Sequence, residues 1–156
     1  MIVAIGADHA GYPLKPRIMA AIVDAGHEIF DVGAHELEPD DDYPDYARLV
    51  GTAIAHGNAD RGVLVCGSGV GAAVAACKIP GVRASVAHDT FSARQGVEDD
   101  DLNVLALGAR AIGPELAAEV TTAFLAARFS DAERHTRRLA KVIEIEHDAL
   151  TGEFDR

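Results

Sequence analysis

Five short apolar runs alternate with longer segments of helical spacing, and no other feature constrains the fold of this chain as tightly. The runs are Ile2–Gly6, His27–Gly33, Gly62–Cys66, Val82–His88 and Asn103–Gly108. Runs that read apolar throughout, with little alternation, belong to strands buried on both faces. Between the first two, Tyr12–Ala25 carries Leu14, Ile18, Ala21 and Ile22 at helical spacing, and Gly26 closes it. Further helices are expected over Tyr43–His56, from the glycine turn after Cys66 to about Cys77, and over Thr90–Val97. Another opens with Pro114 just inside its start, a favoured place for proline, and a last one covers roughly Asp131–Leu150. Doubly buried strands alternating with helices predict an α/β fold, a five-stranded parallel sheet wrapped by helices. No linker, low-complexity segment or repeat interrupts residues 1–156, which read as a single domain.

Composition narrows the function classes. A hydrophobic content of 49% in 156 residues supports one real core, built from Ala, Val, Ile and Leu because aromatics are few and Trp is absent. A net charge of −11 disfavours nucleic acid as a partner. No apolar stretch is long enough to span a bilayer, and "MIVAIGADHAGY" lacks the basic start and long apolar region of a signal peptide, so a cytoplasmic location is expected. Cys66 and Cys77 are not expected to form a disulfide in a reducing compartment. No CxxC or clustered His/Cys spacing supports a metal site.

In an open parallel sheet, ligands collect at the carboxyl ends of the strands. Those ends carry "ADHAG", "CGSGVG", "HDT" and "GAR". In the second of these, Gly67, Gly69 and Gly71 permit positive φ, and the helix that follows points free N–H groups into the turn, which makes an anion site. Three readings of the turn stay open. It is a tight packing turn; or "GSGVGA" is a dinucleotide motif with Asp89 as the ribose acid; or Cys66 is a catalytic base. The dinucleotide reading suffers because the motif follows the third strand, and a P-loop is excluded because no Gly-Lys-Ser/Thr follows. For the third reading, a helix N-terminus favours the thiolate, a thiolate can remove a proton beside a carbonyl, and the loop N–H groups would stabilise the resulting enediolate. The plain alternative is that Cys66 is a small buried apolar residue.

Taken together, "GADHAG", "DDDYPDYA", "CGSGVGAAVAACKIPGVRA", "NVLALGAR" and "ERHTRR" resemble the ribose-5-phosphate isomerase B family, to which the galactose-6-phosphate isomerase subunits also belong. The resemblance covers nearly the whole chain in order. It implies a Rossmann-like three-layer sandwich and aldose–ketose isomerisation of a phosphorylated sugar through a cis-enediolate, with no metal or organic cofactor. It also implies a homodimer or tetramer with active sites shared between subunits, the C-terminal helix of about 131–150 packing on the partner. Carried over by position, Cys66 is the base, and Gly67, Gly69, Val70 and Gly71 cradle the enediolate with help from the Ser68 hydroxyl. Asp8 and His9 contact the sugar and help open its ring, and Tyr43 lines the pocket. Arg134 and Arg138 grip the phosphate with His135 as a further donor, and Arg110 reaches in from the partner subunit. The spacing of Arg134 and Arg138 puts both on one helix face, where arginine forks suit phosphate, although a solvated face would read alike.

The match breaks in "VEDDDL". The family's ring-opening histidine and the substrate-binding asparagine after it fall at Asp99 and Asp100. An ionised carboxylate cannot donate a proton. Either Asp99 is protonated among its acidic neighbours, or His9 or His88 opens the ring, or the substrate needs no opening. Cys77 is a second departure, standing where the family has asparagine, and Ala72 removes the family's alternative glutamate base, which favours Cys66. Ribose 5-phosphate is the expected substrate. Tetrose 4-phosphate, allose 6-phosphate and galactose 6-phosphate are alternatives, as is a non-catalytic sugar-phosphate binding protein.

Overall fold

The computed structural model describes residues 1–154. Its elements run β1 (Ile2–Ala7), α1 (Lys15–Asp24), β2 (Glu28–Gly33), α2 (Tyr43–Ala55), β3 (Arg61–Cys66), α3 (Val70–Ala76), β4 (Ala84–Val86), α4 (Thr90–Asp100), β5 (Val104–Gly108), α5 (Pro114–Ala126) and α6 (Glu133–Thr151). The five strands form one sheet in the order β2-β1-β3-β5-β4, every neighbouring pair parallel, as the apolar runs predict.

Three boundaries depart from expectation. Helix α1 starts at Lys15 rather than Tyr12, because residues 8–14 turn back on themselves, with the Tyr12 N–H donating to the Asp8 carbonyl and the Leu14 N–H to that of Gly11. Strand β4 keeps only the three residues Ala84–Val86, which pair with β5 at the sheet edge. Helix α4 continues past Val97 to Asp100, through an acidic stretch that carries no apolar signal, and closes on Asp101 at φ 51°.

Side chains on successive strand residues point to opposite faces. Val3, Ile5, Val63, Val65, Leu105 and Leu107 form one core with Ile18, Ile22, Val97 and Phe124 of α1, α4 and α5. Ala4, Leu64, Cys66, Val104 and Ala106 form the other with Ala47, Val50, Ala72, Ala73 and Ala76 of α2 and α3. The second layer is thin. A Cβ on Gly62 would lie 2.5 Å from the Val50 side chain, and one on Gly51 would lie 2.3 Å from Ile79. Small residues therefore set how closely α2 rides on the sheet.

The strand order has its reversal beside β1. After β1 the chain turns to α1 on one face, and after the adjacent β3 it turns to α3 on the other. Two loops leaving in opposite directions open a crevice at the carboxyl ends of these strands. Helix α6 stands apart from the sheet, against α4, and exposes Val142, Ile143, Ile145 and Leu150. Among the described residues, no helix is long and apolar enough to cross a membrane.

Candidate active site

The crevice is a cleft of about 470 Å³ lined by Asp8, His9, Ala10, Tyr43, Cys66, Gly67, Ser68, Gly71, Arg110 and Ala111. Cys66, the last residue of β3, is buried beneath it. Its Sγ accepts a hydrogen bond from the Gly69 N–H at 3.0 Å. That bond needs the loop to double back, and Gly69 makes the turn at φ +82°, a conformation that side chains disfavour. The Ser68 hydroxyl accepts from the Val70 N–H at 3.3 Å. Gly71 admits Tyr43, because a Cβ there would stand 2.7 Å from the phenol ring. Gly69 and Val70 shape the loop without lining the cleft, and the Val70 side chain is exposed.

Two further loops complete the walls. After β5, the Ala109 N–H donates to the Cys66 carbonyl at 2.8 Å and the Arg110 N–H to that of Gly67 at 3.0 Å. Arg110 thereby lies against its own chain's Gly67, whose added Cβ would sit 3.6 Å from the guanidinium carbon. The resemblance has Arg110 reaching in from a partner; within one chain Arg110 also lines its own cleft, because β5 pairs with β3 and sets the two loops side by side. After β1, buried Asp8 accepts from the Gly11 N–H at 2.8 Å. His9 is anchored twice, its backbone N–H and its ring Nδ1 lying 2.9 and 2.7 Å from Oδ1 of Asp41.

Sequence reasoning did not single out Asp41. It stands among three successive aspartates, Asp40, Asp41 and Asp42, and nothing in that run tells which one turns inward. The Asp41 side chain is 7% exposed and that of His9 37%. The hydrogen bond to Asp41 holds the His9 imidazolium at a higher pKa than usual, against some desolvation. Burial pushes the Asp41 carboxyl up, but the hydrogen bonds from His9 outweigh it and the group ends below the ordinary carboxylate value. Burial, with the same carboxylate beside it, pushes the Tyr46 phenol up to about 12.

The other expected site residues are gathered elsewhere. Helix α4 starts at the carboxyl edge of the sheet, and its 11 residues carry the chain about 16 Å toward the amino edge. Asp99 and Asp100 therefore stand at the far end from Cys66, where α6 begins. There Nδ1 of His135 lies 2.7 Å from the Ser130 hydroxyl and 3.3 Å from Asp99 Oδ1. Arg134 Nε donates to His135 Nε2 at 2.8 Å, and Gln95 donates to Asp99 at 2.7 Å. His135 is buried with both ring nitrogens occupied, so it braces Arg134 and Asp99 and has no free donor for a phosphate. Arg134 and Arg138 are exposed on α6. Within one chain, Asp99, Asp100, Arg134, His135 and Arg138 do not line the cleft that holds Cys66.

Neighbouring candidates resolve simply. Asp89, the acid of the dinucleotide reading, caps α4 by accepting from the Ser92 N–H at 2.7 Å, and that bond lowers its pKa. His88 Nε2 accepts from the Gly108 N–H at 2.9 Å. Both cysteines are free thiols, and exposed Cys77 bonds the backbone of Ala84. Among the described residues, no three His, Cys, Asp or Glu side chains gather as a metal site.

The arrangement suits proton transfer on a small polar substrate: a thiol under backbone amides, an imidazole backed by a carboxylate, and an arginine on one rim. Known proteins resemble the chain as a whole. The family model described as Ribose/Galactose Isomerase matches residues 3–142. Ribose-5-phosphate isomerase B of Escherichia coli is 42% identical, the match covering 92% of this chain and 95% of that one. D-erythrulose-4-phosphate isomerase of Pectobacterium atrosepticum is 41% identical over 81% of this chain and 84% of its own. The structure of Clostridium thermocellum ribose-5-phosphate isomerase B superposes with a TM-score of 0.91 at 41% identity, covering 96% of this chain and 99% of that one. That of Mycoplasma genitalium ribose-5-phosphate isomerase B, with bound ribulose-5-phosphate, gives 0.88 at 33% identity over 94% and 97%. On fold, motifs and identity alike, the chain belongs to the Ribose/Galactose Isomerase family and is a sugar-phosphate isomerase of that family.

Proposed function

We propose that the chain interconverts ribose 5-phosphate and ribulose 5-phosphate through a cis-enediolate, with Cys66 as the base that moves the proton between C1 and C2. The observation that carries this reading is the thiol itself, buried beneath the cleft under a loop of backbone amides. A proton taken from C2 of the open aldose leaves negative charge on the carbonyl oxygen. Amides between Gly67 and Gly71, with the Ser68 hydroxyl, are the donors for that charge. Tyr43 walls the sugar chain, Asp8 and His9 hold its hydroxyls, and Arg110 supplies positive charge at the rim.

The phosphate grip needs a second subunit. Arg134 and Arg138 lie away from their own chain's cleft, as do Asp99 and Asp100. Helix α6 presents exposed Val142, Ile143, Ile145 and Leu150, and a groove of about 590 Å³ runs between α6 and the segment from Cys77 to Ala84. A homodimer that covers this apolar face brings the α4–α6 end of one chain to the cleft of the other. The sites are then shared, in a homodimer or in a tetramer built from such dimers. The enzyme is assigned to the cytoplasm.

One observation favours a second reading. Asp99 stands where a ring-opening acid is expected, and the Pectobacterium relative is named for a four-carbon sugar phosphate. A tetrose 4-phosphate has its ring-forming hydroxyl blocked and needs no opening. Turnover across four-, five- and six-carbon aldose phosphates separates these substrates, galactose 6-phosphate and allose 6-phosphate included. Deuterium uptake at C2 in heavy water tests the mechanism, and near-normal turnover by Cys66→Ala would remove the thiol from it.

A further inference from the structure

We propose that Asp41 is a positioning residue that makes His9 the ring-opening acid of the cleft. The inference rests on the isomerase reading above and supplies the acid that position 99 lacks. The alternatives are engaged elsewhere. Asp99, which the proposed dimer would carry to the partner's cleft, is already held by Gln95 and faces His135. His88 gives Nε2 to the Gly108 N–H and does not line the cleft. His9 does line it, and because Nδ1 is tied to Asp41, its remaining nitrogen, Nε2, is the one left for substrate. Two bonds to one carboxylate oxygen, from the backbone and from the ring, fix both the position and the rotation of the imidazole. The arrangement matches a catalytic histidine oriented by a buried carboxylate.

The step balances within the cleft. His9 Nε2–H gives its proton to the ring oxygen of the furanose as the bond from that oxygen to C1 breaks. The C1 hydroxyl becomes the aldehyde and loses its proton to the neighbouring Asp8 carboxylate, and exchange with solvent resets both groups. The charged and titratable groups facing His9 are Asp8, Tyr43, Cys66 and Arg110 across the cleft, with Asp41 and Tyr46 behind it. The raised affinity of His9 for its proton keeps the acid form present at higher pH. Acid catalysis then falls as pH rises through that raised value, and in Asp41→Asn it falls at lower pH.

Three readouts test this. NMR titration of the His9 ring in Asp41→Asn should move its pKa toward the ordinary 6.5. Turnover of cyclic ribose 5-phosphate by this variant should fall roughly 10- to 100-fold, part of the effect that a general acid supplies. Deuterium uptake at C1 of ribulose 5-phosphate, which is acyclic, should fall far less. His9→Gln keeps the buried carboxylate and repeats the comparison if Asp41→Asn does not fold. An unmoved His9 titration, or equal losses on the cyclic and acyclic substrates, overturns the proposal. Absence of any turnover by the wild-type chain would instead overturn the ribose reading, and the titration would still report whether Asp41 governs His9.

Discussion

Two imidazole–carboxylate pairs sit at opposite ends of the sheet, His9–Asp41 at the cleft and His135–Asp99 where α6 begins. In the first, the carboxylate is the buried partner and the imidazole is half-exposed with one nitrogen uncommitted. In the second, the imidazole is buried, both of its nitrogens are occupied, and the carboxylate is the more exposed partner. The residue types are the same, and burial decides the use. A buried carboxylate behind an open imidazole orients a proton donor, whereas a buried imidazole behind an open carboxylate braces one helix end against another.

The widest break in this comparison comes from removing the reactive group at the cleft. Cys66→Ala should lower kcat by about a thousandfold or more, while equilibrium dialysis shows sugar phosphate still bound. Next comes the opposite end. Arg138→Ala should weaken binding of phosphorylated sugars by roughly 10- to 100-fold, the worth of one charge-assisted bond, and leave free sugars untouched. Mixing the inactive Cys66→Ala chain with Arg138→Ala should restore turnover if clefts are completed by a partner, since one site of each mixed dimer is then intact. No recovery on mixing would place both ends in one subunit's service.

Stability separates the two pairs in the reverse sense. His135→Ala empties a buried position and removes the hydrogen bonds of both ring nitrogens, and should cost about 1–3 kcal/mol in urea unfolding. His9→Ala leaves Asp41 Oδ1 its bond from the backbone N–H of residue 9, and should cost about the worth of one hydrogen bond while acting mainly on kcat. The smallest effect is a pH signature. His9, raised above 6.5, contributes stability below that value and loses the contribution as pH rises through its folded pKa. Asp41, lowered below 3.8, contributes above that value and loses its share as pH falls. The stability gap between wild type and Asp41→Asn should be widest between pH 3.8 and 6.5 and close on both sides.

Much of the fold was legible because doubly buried strands leave a continuous apolar signal. Strands β1, β3 and β5 lie almost where their apolar runs fall. Helix α4 was read short because "EDD" faces water and leaves no periodic mark. At the site, the glycine turn announced an anion-binding loop, and Cys66 was visible at its edge. Asp41 was not, since its value lies in a contact with His9, 32 residues away. The place of Arg110 in its own chain's cleft was not legible for a related reason. Its position in the chain says nothing about whether β5 lies beside β3 or across the sheet.

The sequence by itself determined the parallel sheet, the family and the chemical inventory of a thiol, glycines, imidazoles and arginines. These follow from local patterns, because strand burial and turn chemistry act over a few residues. Only the tertiary structure decided which groups meet. Strand order set Arg110 beside Cys66, the length of α4 carried Asp99 to the far edge, and a loop folding back over β1 placed Asp41 behind His9. Contacts between distant segments depend on how layers stack in three dimensions, and no local spacing records that.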